Sequence, residues 1–173
     1  MRLRAAEKEE FLSVRSFYWE LIDQLKDQEG TVGWKKGIYP SDSFLISSID
    51  AGELYLMDGE SGYLACVIAN SQWNEGYEGL PWSLDCAQEE ILVPHALAVS
   101  AASQGKGIGT IVVKDLLDLA RAAGKKTVRL DILKGNTAAE QLYIQSGFEY
   151  VQTKTMFYED TGWTEYMMYE IIL

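Results

Sequence analysis

The sequence is short of the residue types that announce a cofactor or a compartment. It holds two cysteines, Cys66 and Cys86, in no Cys-x-x-Cys pair and beside no cluster of ligand residues. That excludes a zinc module and a disulfide framework, so no metal is expected and a reducing cytoplasm is the default location. There is one histidine, His95. Cationic residues are scarce as well: 15 Lys and Arg stand against 26 Asp and Glu, a formal net charge of -11. No broad basic surface can form from that balance, which excludes nucleic acid as the expected partner. Apolar runs are short, and none approaches the roughly 20 residues that cross a bilayer. The opening MRLRAAEKEE has no apolar core of a secretory leader, so neither membrane nor export is expected.

What is present is an ordinary globular composition over 173 residues, enough for one domain with a sizeable core. Residues 2–6 read as a short first strand. Phe11, Val14, Tyr18, Leu21 and Leu25 recur at spacings of three and four, which predicts a helix of about five turns closed by Gly30. The loop TVGWKKGIYPSDS leads into a short helix over 44–49. Residues 52–57 and 62–69 read as strands joined at Asp58-Gly59-Glu60-Ser61. A polar and aromatic connection covers 70–90. Ile91–Val99 is apolar enough for a central strand, in which Pro94 marks the start or an irregularity because it lacks a ladder donor. Apolar positions from Ile108 to Leu119 fall at helical spacing and Gly124 ends that helix. A strand over 127–133 follows. Thr137-Ala138-Ala139-Glu140 has the form of a capping box that opens a second helix, ending near Gly147. Residues 148–156 and 166–173 are the last strands. Strands and helices alternate only in the second half. The expected fold is therefore α/β (α+β), a mixed, mostly antiparallel sheet of six or seven strands flanked by helices, and not a doubly wound parallel sheet.

The most informative stretch is Ser103-Gln104-Gly105-Lys106-Gly107-Ile108-Gly109-Thr110. It is not a P-loop, because Lys106 is followed by Gly107 where Ser or Thr is needed. It is not a dinucleotide fingerprint, because the third glycine comes one place too early. A pyrophosphate cradle of another make remains. A helix start leaves about four N–H groups without partners. Glycines let those groups converge on an anion at the positive end of the helix dipole, worth roughly 0.3–1 kcal/mol. Lys106 adds one mobile cation. A glycine-rich strand-to-helix turn with no ligand accounts equally for the glycines alone.

Gln104-x-x-Gly107-x-Gly109 resembles the acyl-CoA pyrophosphate motif, Q/R-x-x-G-x-G/A, of the GNAT superfamily of N-acetyltransferases. Leu97-Ala98-Val99 before it is similar to that family's Leu-Ala-Val type strand end. Asn136, Leu142-Tyr143 and Gly147-Phe148 are similar to the Asn, Leu-Tyr and Gly-Phe of its later strand–helix unit. The likeness covers about residues 91–150 and rests on element order before that. One departure is Ala101 and Ser103, where many relatives carry proline and an aromatic; without proline the entry turn is looser. The resemblance implies a single GNAT-like acyl-CoA N-acyltransferase domain over 1–173, with 1–90 as the acceptor-side half, 91–150 as the acetyl-CoA-binding core and 151–173 as C-terminal strands. It implies acetyl-CoA as cosubstrate, held by Leu97, Ala98, Val99, Gln104, Gly105, Lys106, Gly107, Ile108, Gly109, Thr110, Asn136 and Tyr143. It implies an amine acceptor and a monomer or homodimer.

Acetyl transfer from a thioester needs a neutral amine, donors for the developing oxyanion and a hydrogen bond for the departing thiolate. Tyr143 is the candidate for the last. A tyrosine near pKa 10 facing a thiol near 8.5 makes full proton transfer uphill by about 2 kcal/mol, so Tyr143 is expected to donate a hydrogen bond as charge develops. The base has three candidates, His95, Glu90 and Glu89. A lone strand histidine such as His95 is more often a satisfied structural residue, a charge run such as the glutamates is usually a solvated face, and a well-solvated amine needs no dedicated base. Asn136 is either a polar group beside the cofactor or a pre-helix turn residue. Trp34, Tyr39, Trp73 and Trp82, with Tyr77 and the acidic residues around it, form either a lining suited to a cationic amine or rings that pack a long loop. The alternative function is a non-catalytic acyl-CoA-binding sensor or interaction module.

Overall fold

Seven strands form one open sheet in the order β1-β2-β3-β4-β5-β7-β6. The structure, a computed structural model, describes residues 1–28 and 30–173. The elements run β1 (Arg4–Ala5), α1 (Phe11–Leu25), α2 (Asp42–Asp50), β2 (Leu54–Gly59), β3 (Gly62–Asn70), β4 (Ile91–Val99), α3 (Ile108–Ala122), β5 (Thr127–Leu133), α4 (Thr137–Gln145), β6 (Glu149–Tyr158) and β7 (Gly162–Ile172). The mixed sheet, antiparallel but for β4 and β5, is the one the sequence predicts.

The residue pattern explains the layers. In β3, Ala65, Val67 and Ala69 pack with α3, while Cys66 and Ile68 pack with α1 and α2. A strand buried on both faces reads as an unbroken apolar run, as this one does. On α1 the stripe Val14, Tyr18, Leu21 and Ile22 is buried. On α3 the buried set is Ile108, Val112, Val113, Leu116, Leu117 and Ala120. A third core gathers Tyr77, Ile91, Val93, Met156, Tyr166 and Met168 under the 70–90 connection, which holds two single 3-10 turns.

Several boundaries depart from the sequence-based expectation. Helix α1 stops at Leu25, short of Gly30, because the apolar periodicity that buries it ends there. Asp58 and Gly59 belong to β2, leaving Glu60 and Ser61 as the turn. The last two strands extend to Tyr158 and back to Gly162, since the hairpin pairs through to its tip. The capping box is absent. Asn136, not Thr137, caps α4 by accepting from the Ala139 N–H. Glu140 is turned away to accept a 2.8 Å hydrogen bond from the Tyr169 hydroxyl.

Two irregularities shape the middle of the sheet. Opposite β3, the register shifts so that Ala96 and Leu97 of β4 face Val67 alone, and Ala96 takes φ +50. This β-bulge sits two residues past Pro94 and re-aims the chain. Against β5, β4 pairs only at Ile91↔Thr127 and Leu92↔Val128. Beyond that point β4 stays with β3 and β5 stays with β7, so the sheet opens between them.

Candidate active site

A cleft lies where the two halves of the sheet part. It is lined by Leu97, Ala98 and Val99 from β4, by Gln104, Gly105, Gly107, Ile108, Gly109 and Thr110 from the turn into α3, and by Asn136 and Leu142 of α4. Eleven of the twelve residues expected around the cofactor line this cleft or the cavity beside it; Lys106 is exposed and lines neither.

The turn is built as an anion nest. Gly105 and Gly107 have φ +72 and +80, and Gly107 caps α3 in the left-handed conformation with no side-chain cap. Nothing lies within 4 Å of a Cβ placed at either, so the backbone angle alone calls for glycine there. Gly109 is different: a Cβ would meet Leu142 Cδ2 at 3.0 Å, so its glycine serves the approach of α3 to α4. Among the described residues, none of the N–H groups from Gly105 to Thr110 donates to a protein acceptor; the first such bond into α3 is Ile111 N–H to Gly107 O. Gln104 folds back so that Nε2 donates to Val99 O at 3.2 Å, tying the turn to the strand end.

Beside the cleft, and sharing Trp34, Leu97, Asn136 and Ala139 with it, is a cavity of about 230 Å³. Tyr143 lines it from α4, packed edge-to-face on Phe148 and 7% exposed, and its hydroxyl has no partner among the described residues. Burial pushes that hydroxyl well above the ordinary tyrosine range, with the Asp131 charge adding to it. Tyr143 is therefore held protonated, as a donor.

His95 also lines the cavity. Its Nε2 lies 2.9 Å from Asn70 Oδ1, which accepts from Gln72 N–H, while Asn70 Nδ2 donates to Glu53. That network places the proton on Nε2. Burial lowers the ring to about 4, so it is neutral and weakly basic at pH 7. Glu90 stands at the other end of β4. It is bound to Lys126 at 2.6 Å and to the Ala87 N–H, and lines neither cavity nor cleft. Glu89 is likewise remote. Of the expected substrate aromatics, Trp34, Tyr39 and Tyr77 line the cavity. Trp73 stacks on Tyr77, and Trp82 covers the buried Arg129–Glu170 pair, so these two pack the loop onto the body.

The sequence reading missed the acidic floor. Asp131 of β5 lines the cavity and accepts from Tyr158 Oη at 2.5 Å, and Asp160 of the β6–β7 turn, 5% exposed, lines it too. Burial raises Asp131 to about 6 and moves Asp160 upward. The available signal was a carboxylate set between Leu130 and Ile132 of β5.

The sequence profile of the acetyltransferase (GNAT) family matches residues 18–148. The N-alpha-acetyltransferase RimI of Mycobacterium tuberculosis is 36% identical over 74 residues, which are 43% of this chain and 45% of that protein, so the match spans under half of that relative. A GNAT-family acetyltransferase structure from Streptococcus agalactiae superposes with a TM-score of 0.81 at 18% identity, covering 99% of this chain and 95% of the other. A GNAT superfamily phosphinothricin acetyltransferase from Sinorhizobium meliloti, solved in complex with acetyl-CoA, has a TM-score of 0.72 at 18% identity, covering 99% and 87%. With its matched profile, its parted sheet and its glycine nest, the chain belongs to the acetyltransferase (GNAT) family.

Proposed function

We propose that the chain is an N-acetyltransferase that moves the acetyl group of acetyl-CoA to a primary amine by direct attack within a ternary complex. The observation that carries this is the nest of free N–H groups from Gly105 to Thr110, joined through Leu97 and Asn136 to a cavity holding the unpartnered Tyr143 hydroxyl. The nest offers donors for a pyrophosphate at the positive end of α3, and these short contacts outweigh a net charge of -11 that is screened beyond roughly 8 Å. Acetyl-CoA supplies an activated thioester carbonyl. The β4 edge around Leu97 and Val99, with no strand across it, offers main-chain groups to the pantetheine and the developing oxyanion. Tyr143 donates a hydrogen bond to the departing sulfur. Cleft and cavity meet at shared walls, so donor and acceptor sit side by side and no acetylated side chain is required.

Tyr143→Phe is expected to lower kcat about 10- to 100-fold while acetyl-CoA affinity stays near wild type. The test is thiol release from acetyl-CoA across a panel of amines, with acetyl-CoA affinity from calorimetric titration. Binding without turnover on any amine makes the chain an acyl-CoA-binding module, and no binding at all overturns the cradle.

A further inference from the structure

A buried ion pair stands outside the chemistry assigned so far. Arg129 Nε of β5 lies 2.9 Å from Glu170 Oε1 of β7, and the two side chains are 8% and 2% exposed. Burying two charges is costly, and their attraction repays it only where the remaining hydrogen bonds are made as well. Here two of those bonds go to the backbone of the 70–90 connection. Ser83 N–H donates to Glu170 Oε2 at 2.7 Å, and Arg129 Nη2 donates to the Leu84 carbonyl. The indole of Trp82 covers the guanidinium, whose Cζ stands 4.6 Å from the ring centroid. Trp82 carries the contact onward. Its Nε1–H donates to the Tyr77 carbonyl at 2.9 Å, and the two rings stand 5.5 Å apart. Tyr77, 4% exposed, lines the cavity; Trp82 does not. The turn before Tyr77 is pinned from the other side. Lys154 Nζ of β6 donates to the Gly76 carbonyl at 2.8 Å, and a Cβ at Gly76 would collide with the Met156 side chain.

We infer that Tyr77 is the residue that limits how long an acceptor amine the cavity admits, and that Trp82, seated on the Arg129–Glu170 pair, is the positioning residue that holds Tyr77 in place. The inference rests on the acetyltransferase reading given above. The cavity, about 230 Å³, lies below the roughly 300–1,000 Å³ of drug-sized ligand sites. A short primary amine fits such a volume, and a methylene that the wall excludes is worth about tenfold or more in kcat/KM. Tyr77 serves as a fixed wall because it is tied on three sides. Trp82 holds its carbonyl, Lys154 holds the residue before it, and Trp73 stacks on its ring with the centroids 6.5 Å apart. A ring on an untied loop would yield to a longer ligand. Here, displacing the loop takes two buried charges away from their backbone partners, so the wall resists.

Acceptor length is read with straight-chain primary amines from n-propylamine to n-octylamine, and with a hexapeptide bearing a free alanine amino terminus, by thiol release from acetyl-CoA. Wild-type kcat/KM is expected to fall along the series. Tyr77→Ala, and Tyr77→Leu to a lesser degree, should raise kcat/KM for n-octylamine relative to n-propylamine, by about tenfold or more for the alanine. Tyr77→Phe keeps the ring and should keep the wild-type length profile. Removing Arg129 or Glu170 would leave the other charge buried alone, so the relay is tested at Trp82. Trp82→Ala should relax the profile in the same direction although Trp82 lines no part of the cavity, with the change falling on amine KM more than on kcat. Trp82→Phe keeps a ring over Arg129 and should recover part of the selectivity. Acetyl-CoA affinity, measured in parallel, reports that each variant is folded; a loss of folded protein alone lowers the rate for every amine equally and leaves the profile unmoved. An unmoved profile in a Tyr77→Ala or Tyr77→Leu protein that retains acetyl-CoA affinity overturns the wall. A profile that widens in the Tyr77 variants but not in Trp82→Ala overturns the relay. Wild-type acetylation of the hexapeptide faster than of any amine in the series overturns the length limit. These outcomes leave the acetyltransferase reading standing, whereas a wild type that binds acetyl-CoA and acetylates nothing defeats that reading itself.

Discussion

Ala96 shows how one residue sets the site. It is the single non-glycine residue with positive φ among the described residues, at φ +50, and its carbonyl accepts a 2.8 Å hydrogen bond from the buried Tyr18 hydroxyl. A left-handed L-residue costs roughly 1–2 kcal/mol, here held by the bulge and by that bond. Tyr18→Phe leaves the Ala96 carbonyl without its partner and is expected to destabilise the fold by about 1–3 kcal/mol in urea titration. Ala96→Val, β-branched at positive φ, is expected to cost more than Ala96→Gly in the same assay. Asp131 carries a stability signature of its own. Its folded pKa is raised from 3.8 to about 6, so the stability linked to it is fully present below pH 3.8 and is lost as pH rises through about 6. Asp131→Asn should therefore stabilise the protein by up to about 3 kcal/mol at pH 7.5 and by little at pH 3. Equal stability changes at the two pH values would refute the burial argument.

At the scale of elements, the decisive unit is β4, its turn and α3. The glycines there perform two separate tasks, and substitution should distinguish them. Gly107→Ala strains a left-handed cap with open space around it and is expected to cost about 1–2 kcal/mol and to weaken acetyl-CoA binding, because the nest changes shape. Gly109→Ala meets only the end of the Leu142 side chain and should be milder in both thermal stability and affinity. The same unit shows why part of the site was legible in the sequence. A cradle is local: Gln104 through Thr110 form it within one turn, so the spacing of the glycines betrays it. The aromatic positions were half legible. Trp34 and Trp82 look alike in composition, but one lies at the cavity wall and the other over Arg129 at 4.6 Å, a difference made by packing.

Over the whole molecule, charge and topology act together. Arg4 joins Glu10 and Asp58, and Tyr63 donates to Glu10, so one cluster ties the N-terminal segment to β2 and β3. The Arg4 guanidinium holds Glu10 at about 2, below the usual 4.5, so its contribution is present above pH 4.5 and lost as pH falls through about 2. Arg4 is 40% exposed, which reduces the contribution to about 1 kcal/mol. Glu10→Gln should narrow the gap in unfolding free energy between pH 6 and pH 3 by part of that amount, and an unchanged gap would remove the cluster from the account. The strand order then decides where chemistry is possible. β4 and β5 are neighbours yet pair at two positions, and the opening between them leaves room for segments far from α3 to line the same site.

The amino-acid sequence by itself determined what depends on near neighbours: the helices and most strands through their periodicity, the nest through its glycines, and the cofactor class through Gln104 and its flanks. The tertiary structure alone decided what lines the cavity. Asp131, Asp160, Tyr158 and Tyr143 come from three segments of the chain and meet because β5, α4 and the β6–β7 hairpin close on one cavity. Glu90 was drawn toward the site by its place before β4 and removed from it by the length of that strand and its bond to Lys126. The physical reason is one of range. Hydrogen bonds and φ angles act along a few residues, whereas desolvation, which raises the pKa of a carboxylate, depends on everything that surrounds it.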